Sequence, residues 1–497
     1  MNLSRLSRWM LLAAGLLILS PYLSAQGLSA AAHHSKTSSS DLAIVQLEKD
    51  IPDLMSQAEV PGLSIAVLRN GRTAWLRNFG IKNTKTKEPI TDDTVFEAAS
   101  LSKPVFAYAV LKLVDQGKLG LDVPLSTYLP KPYIDSDDRL VKITARIVLS
   151  HRTGFRNWRG DGNPLSIYFT PGERFSYSGE GFIYLQRVVE QIEGKPLNDI
   201  MRQLVFTPLG MASSSYVWRA DFDERTATGH DGDATPQDLW KPKDAGAAST
   251  LNTTAHDYAL FVAAILNGAG LKVATLREME TPQIAVDPEC TNCTDRTPKQ
   301  LSKNIFWGLG WGIVRNSKSE TLWHWGDNGS FKCFVVADPA HKSGMVMFTN
   351  SQNGLAIAPV VVREAAGSES LAFSWIKYDA YNSDSMLFAK TARDQGVEAA
   401  IQQFDAALKN GSISEDSVNS LGYHFLGKKR LADAIRIFKL NTDLRPQSAN
   451  TYDSLAEAYM DSGDKPLAIQ FYEKSLLLNP NNSNAISQLK KLKSTTP

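Results

Sequence analysis

Cysteine is scarce in this chain, with three among 497 residues. Cys290 and Cys293 share the stretch Cys-Thr-Asn-Cys, and Cys333 stands alone. A structural zinc site draws four cysteine or histidine ligands at set spacings, and no second pair of either residue supplies them. The stretch reads as a local disulfide or as two free thiols. Excess charge is also missing. Lys and Arg number 53 against 52 Asp and Glu, a net charge of +1, and no strongly basic stretch offers nucleic acid a footing. Long apolar runs are lacking too. Trp9 to Leu19 is too short for a comfortable membrane span, and no later run is longer. What is present is the composition of a globular chain, 43% hydrophobic and 21% charged, long enough for two or three domains.

The first residues read as an export signal over residues 1–25. Arg5 and Arg8 precede the apolar run, Pro21 ends it, and Ala25 or one of the alanines at 30 to 32 offers a small-residue cleavage point. An uncleaved anchor is the other reading. Residues 26–40 form a linker, low in complexity from Ser29 to Ser40, in which His33 and His34 are linker residues.

From Asp41 the pattern becomes that of folded structure. Asp41 to Ser56 carries apolar residues at helical spacing. Leu63 to Leu68 and Thr73 to Phe79 read as strands around an Asn70-Gly71 hairpin turn. Helical and loop segments fill the middle. Phe306 to Val314, Thr321 to Trp325, Phe331 to Asp338 and Gly344 to Thr349 read as strands again. Strands at both ends of a helical middle predict an α+β domain over residues 41–370, with one antiparallel sheet built from both ends and helices upon it. Residues 371–390 are a connector. Residues 391–497 show a 34-residue period: Ala400, Ala434 and Ala468; Phe404, Phe438 and Tyr472; Leu421 and Leu455; Phe425 and Tyr459; Pro446 and Pro480. That is the pattern of an all-α tetratricopeptide domain. About two and a half repeats fit, so the unit is expected to bury its open end against the preceding domain, with Ala485 to Leu492 as a capping helix.

Ser100-Leu101-Ser102-Lys103 matches the Ser-x-x-Lys motif of acyl-transfer enzymes. Alone it is weak, since Ser374 and Lys377, Ser462 and Lys465, and Ser487 and Lys490 share the spacing by chance. Context separates Ser100. It opens a helix, so Lys103 stands one turn along on the same face, and the helix N-terminus favours a developing oxyanion there. A desolvated lysine amine can act as base toward the hydroxyl. The bland reading is a serine cap.

Two later segments add specificity: Phe175-Ser176-Tyr177-Ser178-Gly179 before a helix, and His324-Trp325-Gly326 on a late strand, followed by Asp327-Asn328-Gly329. With Leu149 to Gly154, Pro171-Gly172, Ser249-Thr250 and Trp307 to Gly312, this order resembles the serine β-lactamase and penicillin-binding-protein superfamily, in its class C β-lactamase-like branch of esterases and D-amino-acid peptidases. The resemblance implies that fold for residues 41–370. It implies Ser100 as nucleophile, Lys103 and Tyr177 sharing acid–base work with tyrosinate character at Tyr177, and His324 holding Tyr177 and substrate. The backbone N–H groups of Ser100 and Asp327 would form an oxyanion hole, and Gly179, Glu180, Trp325 and Gly326 would meet the substrate. No metal or cofactor is implied. One departure stands out: the family's Tyr-x-Asn has Gly179 in place of Asn, followed by Glu180, which reads either as taking over part of the Asn role or as a solvated charge. With His324 where Lys is usual, this argues against efficient β-lactam hydrolysis.

The expected activity is therefore hydrolysis of an ester or amide (a small ester, a D-amino-acid peptide or a β-lactam) through an acyl-enzyme. The competing reading is a catalytically weak penicillin-recognising sensor whose repeats recruit a protein partner. Loops at residues 157–168 and 231–244 are expected to shape the pocket. The partners implied are a small-molecule or peptide substrate and, through the repeats, a protein or peptide. The resemblance places the mature protein outside the cytoplasm, periplasmic or extracellular.

Overall fold

The computed structural model describes residues 39–135, 137–160, 164–316, 319–367 and 369–494. The expected signal and nearly all of the linker lie outside the described residues. Ten strands follow in chain order: β1 Gly62–Arg69, β2 Arg72–Gly80, β3 Phe96–Glu97, β4 Asn252–Thr253, β5 Ile284–Ala285, β6 Ile305–Trp307, β7 Gly312–Arg315, β8 Glu320–Asp327, β9 Lys332–Asp338 and β10 Ser343–Thr349. Eight form one antiparallel sheet in the order β2-β1-β10-β9-β8-β7-β6-β5, while β3 and β4 make a small separate ladder.

The hairpin closes because Asn70 and Gly71 both take positive φ (52° and 70°), the backbone that a two-residue turn requires. Pairing of β1 with β10, from Leu63↔Thr349 to Leu68↔Gly344, joins the two ends of the domain. Alternate residues then serve opposite faces of the sheet. Ala66, Leu68, Val346 and Phe348 enter one apolar core with the helices Ser102–Asp115 and Ala255–Leu266. Leu63, Ile65, Val67, Met345 and Met347 enter a second, with the helices Ser39–Gln57 and Ala358–Ala366. Two covered faces explain why β1 reads as a continuous apolar run.

Phe306 to Val314, expected as one strand, is two. The chain reverses at Gly308 to Trp311, with Gly310 at φ +85°, and a Cβ on Gly308 would lie 2.4 Å from the Met279 carbonyl oxygen.

After residue 370 the described chain is helical. The segment expected as a connector includes the helix Ala372–Ile376. Its Trp375 is buried in the second core and donates Nε1–H to the Asp287 carbonyl (2.7 Å). From Asp384 to Ser494 helices pack on their neighbours, and the period-34 residues Ala400, Ala434, Ala468, Phe438 and Tyr472 are buried. The helix Ser483–Ser494 turns Ala485, Leu489 and Leu492 onto the preceding pair. Ion pairs join the helical region to the sheet domain. Glu59 accepts Lys390 (3.0 Å) and Arg393. Lys428 reaches Asp231 (2.9 Å), Asp233 (3.1 Å) and Thr235 (2.7 Å). The 231–244 loop thus gives its first residues to the helical region.

Candidate active site

Ser100 stands in a single 3₁₀ turn, Ala99–Leu101, ahead of the helix Ser102–Asp115. The helix N-cap is Leu101, so Ser100 is not the capping residue the sequence suggests, and its hydroxyl is not spent on a cap. The preceding Ala99 takes φ +47°, which costs an L-residue roughly 1–2 kcal/mol. Surrounding bonds hold the turn against that strain. Ala98 N–H donates to Leu251 O (2.8 Å), and Leu101 N–H donates to Ala98 O (2.9 Å). Ser102 Oγ donates to Ala99 O (2.5 Å) and accepts from Leu251 N–H (3.0 Å). Tyr216 and Tyr258 donate to the carbonyls of Ser102 and Leu101.

Lys103 Nζ lies 2.9 Å from Ser100 Oγ and 2.8 Å from Ala248 O. The residue is fully buried, and burial holds its pKa well below the ordinary lysine value. A neutral amine at this point can keep an N–H on Ala248 O and turn its lone pair to the Ser100 hydroxyl. The amine also faces the rings of Tyr177 (4.8 Å to the centroid), Phe182 (5.7 Å) and Trp158 (5.9 Å).

Tyr177 is buried, and its Oη is left without a hydrogen bond. Burial raises the phenol, and the nearby Ser100 hydroxyl lowers it only in part. Burial of both partners opposes the expected tyrosinate character and favours the uncharged forms of the amine and the phenol. His324 is fully buried 6.1 Å from Tyr177, ring to ring. Its Nδ1–H donates to Trp325 O (2.7 Å) and Nε2 is unpartnered. Burial, then the neighbouring Lys103, push its pKa down to about 3. His324 is therefore a neutral imidazole. A second imidazole, to which the sequence reading gave no role, stacks on Tyr177 at 4.2 Å. His151 Nδ1 accepts Ser178 N–H (2.9 Å), and burial holds it neutral as well.

The strand β8 runs alongside the Ser100 turn. β7 pairs with it only as far as Trp323, while β9 continues to Asp327, so residues 324–327 have one unpaired edge. Gly326 is required there, because a Cβ would lie 2.6 Å from Ala98 O and 2.2 Å from Cys333 Sγ. Trp325 packs on Tyr177 at 4.9 Å. The Asp327 carboxylate turns away, accepting Gly329 N–H (2.8 Å), Lys332 and the Tyr378 hydroxyl. That tyrosine comes from beyond the strands and carries no sequence motif. Cys290 and Cys293 are joined as a disulfide, and between them Thr291 O accepts Tyr177 N–H (2.8 Å).

Glu180 is the clearest correction. It is not a solvated charge but is 3% exposed, paired with Arg159 and accepting the Tyr133 hydroxyl. Beside it, Gly179 faces the indole of Trp158, whose Cη2 lies 2.7 Å from where a Cβ would stand. Tryptophan thus fills the space that a side chain at position 179 would take. Among the described residues no group of three or more His, Cys, Asp or Glu is arranged to hold a metal, and no helix is long and apolar enough to cross a membrane.

Residues 47–366 match the Beta-lactamase family model. Penicillin-binding protein 4 of Amycolatopsis lactamdurans is 26% identical over 324 residues, covering 61% of this chain and 84% of that protein. Esterase EstB of Burkholderia gladioli is 30% identical over 224 residues, covering 38% of this chain and 56% of its own length. Among solved structures, D-alanine carboxypeptidase AmpC from Burkholderia cenocepacia superposes with a TM-score of 0.54 at 19% identity, covering 66% of this chain and 99% of that one. These likenesses carry the fold.

Proposed function

The chain belongs to the Beta-lactamase family and is a serine hydrolase of the serine β-lactamase and penicillin-binding-protein superfamily, and on that premise we propose that it cleaves an ester or amide through an acyl-enzyme on Ser100. The observation that carries this reading is Lys103 Nζ, fully buried and 2.9 Å from Ser100 Oγ. Ser100 Oγ bonds to the substrate carbonyl carbon while its proton passes to the neutral Lys103 amine. The carbonyl oxygen takes the negative charge and is met by the N–H groups of Ser100 and Asp327. The bond to the leaving group breaks, and the proton on Lys103 returns to the leaving oxygen or nitrogen by way of Tyr177 Oη, which has no competing partner. Water then attacks the acyl carbon with the same groups in reverse, releasing the acid and restoring the Ser100 hydroxyl. His324, neutral at working pH, presents Nε2 to Tyr177 or substrate and offers no cation to a substrate carboxylate. That weighs against β-lactams and carboxylate-terminated peptides and in favour of neutral esters.

The protein acts outside the cytoplasm, with residues 1–25 as its export signal, 41–370 as the hydrolase and 391–497 as a tetratricopeptide module for a peptide or protein partner. Incubation with a fluorophosphonate probe, followed by intact-mass analysis, tests the nucleophile. One adduct is expected on the native protein and none on Ser100→Ala, and equal labelling of both overturns the assignment.

A further inference from the structure

The sequence removes the side chain at position 179, and the fold spends the vacated space on an aromatic ring. The benzo edge of Trp158 lies 2.7, 2.9 and 3.0 Å from an ideal Cβ on Gly179, so no larger residue at 179 fits while the indole stays. Trp158 is 47% exposed, an unusual state for a tryptophan beside a site whose Lys103 amine lies 5.9 Å from its ring centroid. The chain on both sides of the ring is anchored. On its N-terminal side, Ser178 Oγ donates to Arg156 O (2.9 Å). Asn157 accepts Gly179 N–H at Oδ1 and Glu180 N–H at its carbonyl, both at 2.8 Å. On its C-terminal side, Arg159 is tied to the buried Glu180 carboxylate. Four anchors between residues 156–159 and the start of the helix Gly179–Glu193 thus present one preset aromatic wall. A rigid ring held partly in water loses little order when a ligand covers it.

We propose that Trp158 is the platform for the acyl group of the substrate, and that the substrate is a neutral ester whose acyl part is flat and aromatic. This rests on the proposed Ser100 acyl-enzyme and adds to it the substrate class. The wall offers a π-face where the family's Asn offers an amide. An acylamino group would there lose a hydrogen-bonding partner without regaining one, which disfavours substrates of that kind.

The test compares p-nitrophenyl benzoate with p-nitrophenyl acetate on the full chain. The native protein is expected to favour benzoate, and Trp158→Ala to lower kcat/KM for benzoate by about tenfold, mainly through KM, and for acetate by a clearly smaller factor. Trp158→Phe, which keeps a ring, is expected to recover most of the benzoate activity. In Trp158→Ala/Gly179→Asn the amide gains room, and turnover of an acylamino ester is expected to rise above that of Trp158→Ala alone. Equal loss on benzoate and acetate in Trp158→Ala, or a native preference for acetate, overturns the platform. Both activities surviving in Ser100→Ala would overturn the nucleophile instead, so the two failures are told apart.

Discussion

The sheet domain and the helical region treat their charged groups in opposite ways. In the sheet domain Lys103, His151 and His324 are fully buried with no carboxylate partner among the described residues. Glu97, on β3, is buried with only the Asn328 amide to bond it (2.8 Å). Burial forces each toward its neutral form. At the seam, Glu59, Asp231 and Asp233 meet Lys390, Arg393 and Lys428. Partial burial alone would lower Lys428, but its bonds to Asp231 and Asp233 outweigh it and hold the ammonium above its usual value. The contrast separates two uses of charge. Groups stripped of water with no opposite charge gain reactivity, whereas partly buried groups with a partner give register between domains.

Four changes break or sharpen this contrast. The largest effect is expected from Lys103→Met, which keeps volume and removes the amine. Esterase activity should fall by at least about 10³-fold with the fold retained by circular dichroism, and unchanged activity would show that burial serves packing alone. In the native protein, the acid limb of kcat/KM against pH should lie well below the ordinary lysine value, because in the proposed mechanism Ser100 needs Lys103 without its proton.

Next comes Glu97. Burial raises its pKa from 4.5 to about 7, the Asn328 bond opposing this only in part. The native state therefore binds the extra proton between those two values. Its contribution to stability falls as pH rises through that window and levels off above about 7. The shift corresponds to about 3 kcal/mol. Glu97→Gln should remove the fall, read as the difference between the two melting temperatures from pH 4 to pH 8. Parallel curves would contradict the burial argument.

Reducing the Cys290–Cys293 bridge, or Cys290→Ser/Cys293→Ser, should act on Tyr177 more than on the fold. Only a four-residue loop is closed, so the entropic gain is small, about 2 kcal/mol, but Thr291 holds the Tyr177 backbone. A several-fold loss of kcat with KM little changed is expected. The smallest effect belongs to the seam. Lys428→Ala should shift unfolding by less than about 1 kcal/mol, and less still in high salt. A large, salt-insensitive loss would erase the contrast.

The sequence made the architecture legible where periodicity was simple. Both hairpin strands around Asn70-Gly71, the return strands after residue 305 and the 34-residue period reappear as elements. Of the three motif segments, Lys103 lies on Ser100, and Tyr177 and Trp325 are in contact. What stayed hidden depended on distance in the chain. Glu180 looks solvated until Arg159 and Tyr133 are known to cover it. Tyr177 looks ready to ionise until its burial is seen. Trp158 gains meaning only beside Gly179, although Asn-to-Gly in a motif otherwise kept is a signal that something else fills the gap. His151 lay in a quoted motif without a role, since stacking on Tyr177 cannot be read from spacing. Gly308 and Gly310 marked a reversal that the apolar pattern concealed.

Tyr378 and Trp375 lie past residue 366, where the family match ends, yet one bonds the Asp327 carboxylate and the other fills the second core. Tyr381 N–H is anchored to Ala356 O at 3.1 Å. A shortened protein ending at the family border would lose a tryptophan-sized plug and leave Asp327 to Lys332 and Gly329 alone. Any excised hydrolase should therefore run through Tyr381, and the natural place to cut is the short stretch between there and Asp384.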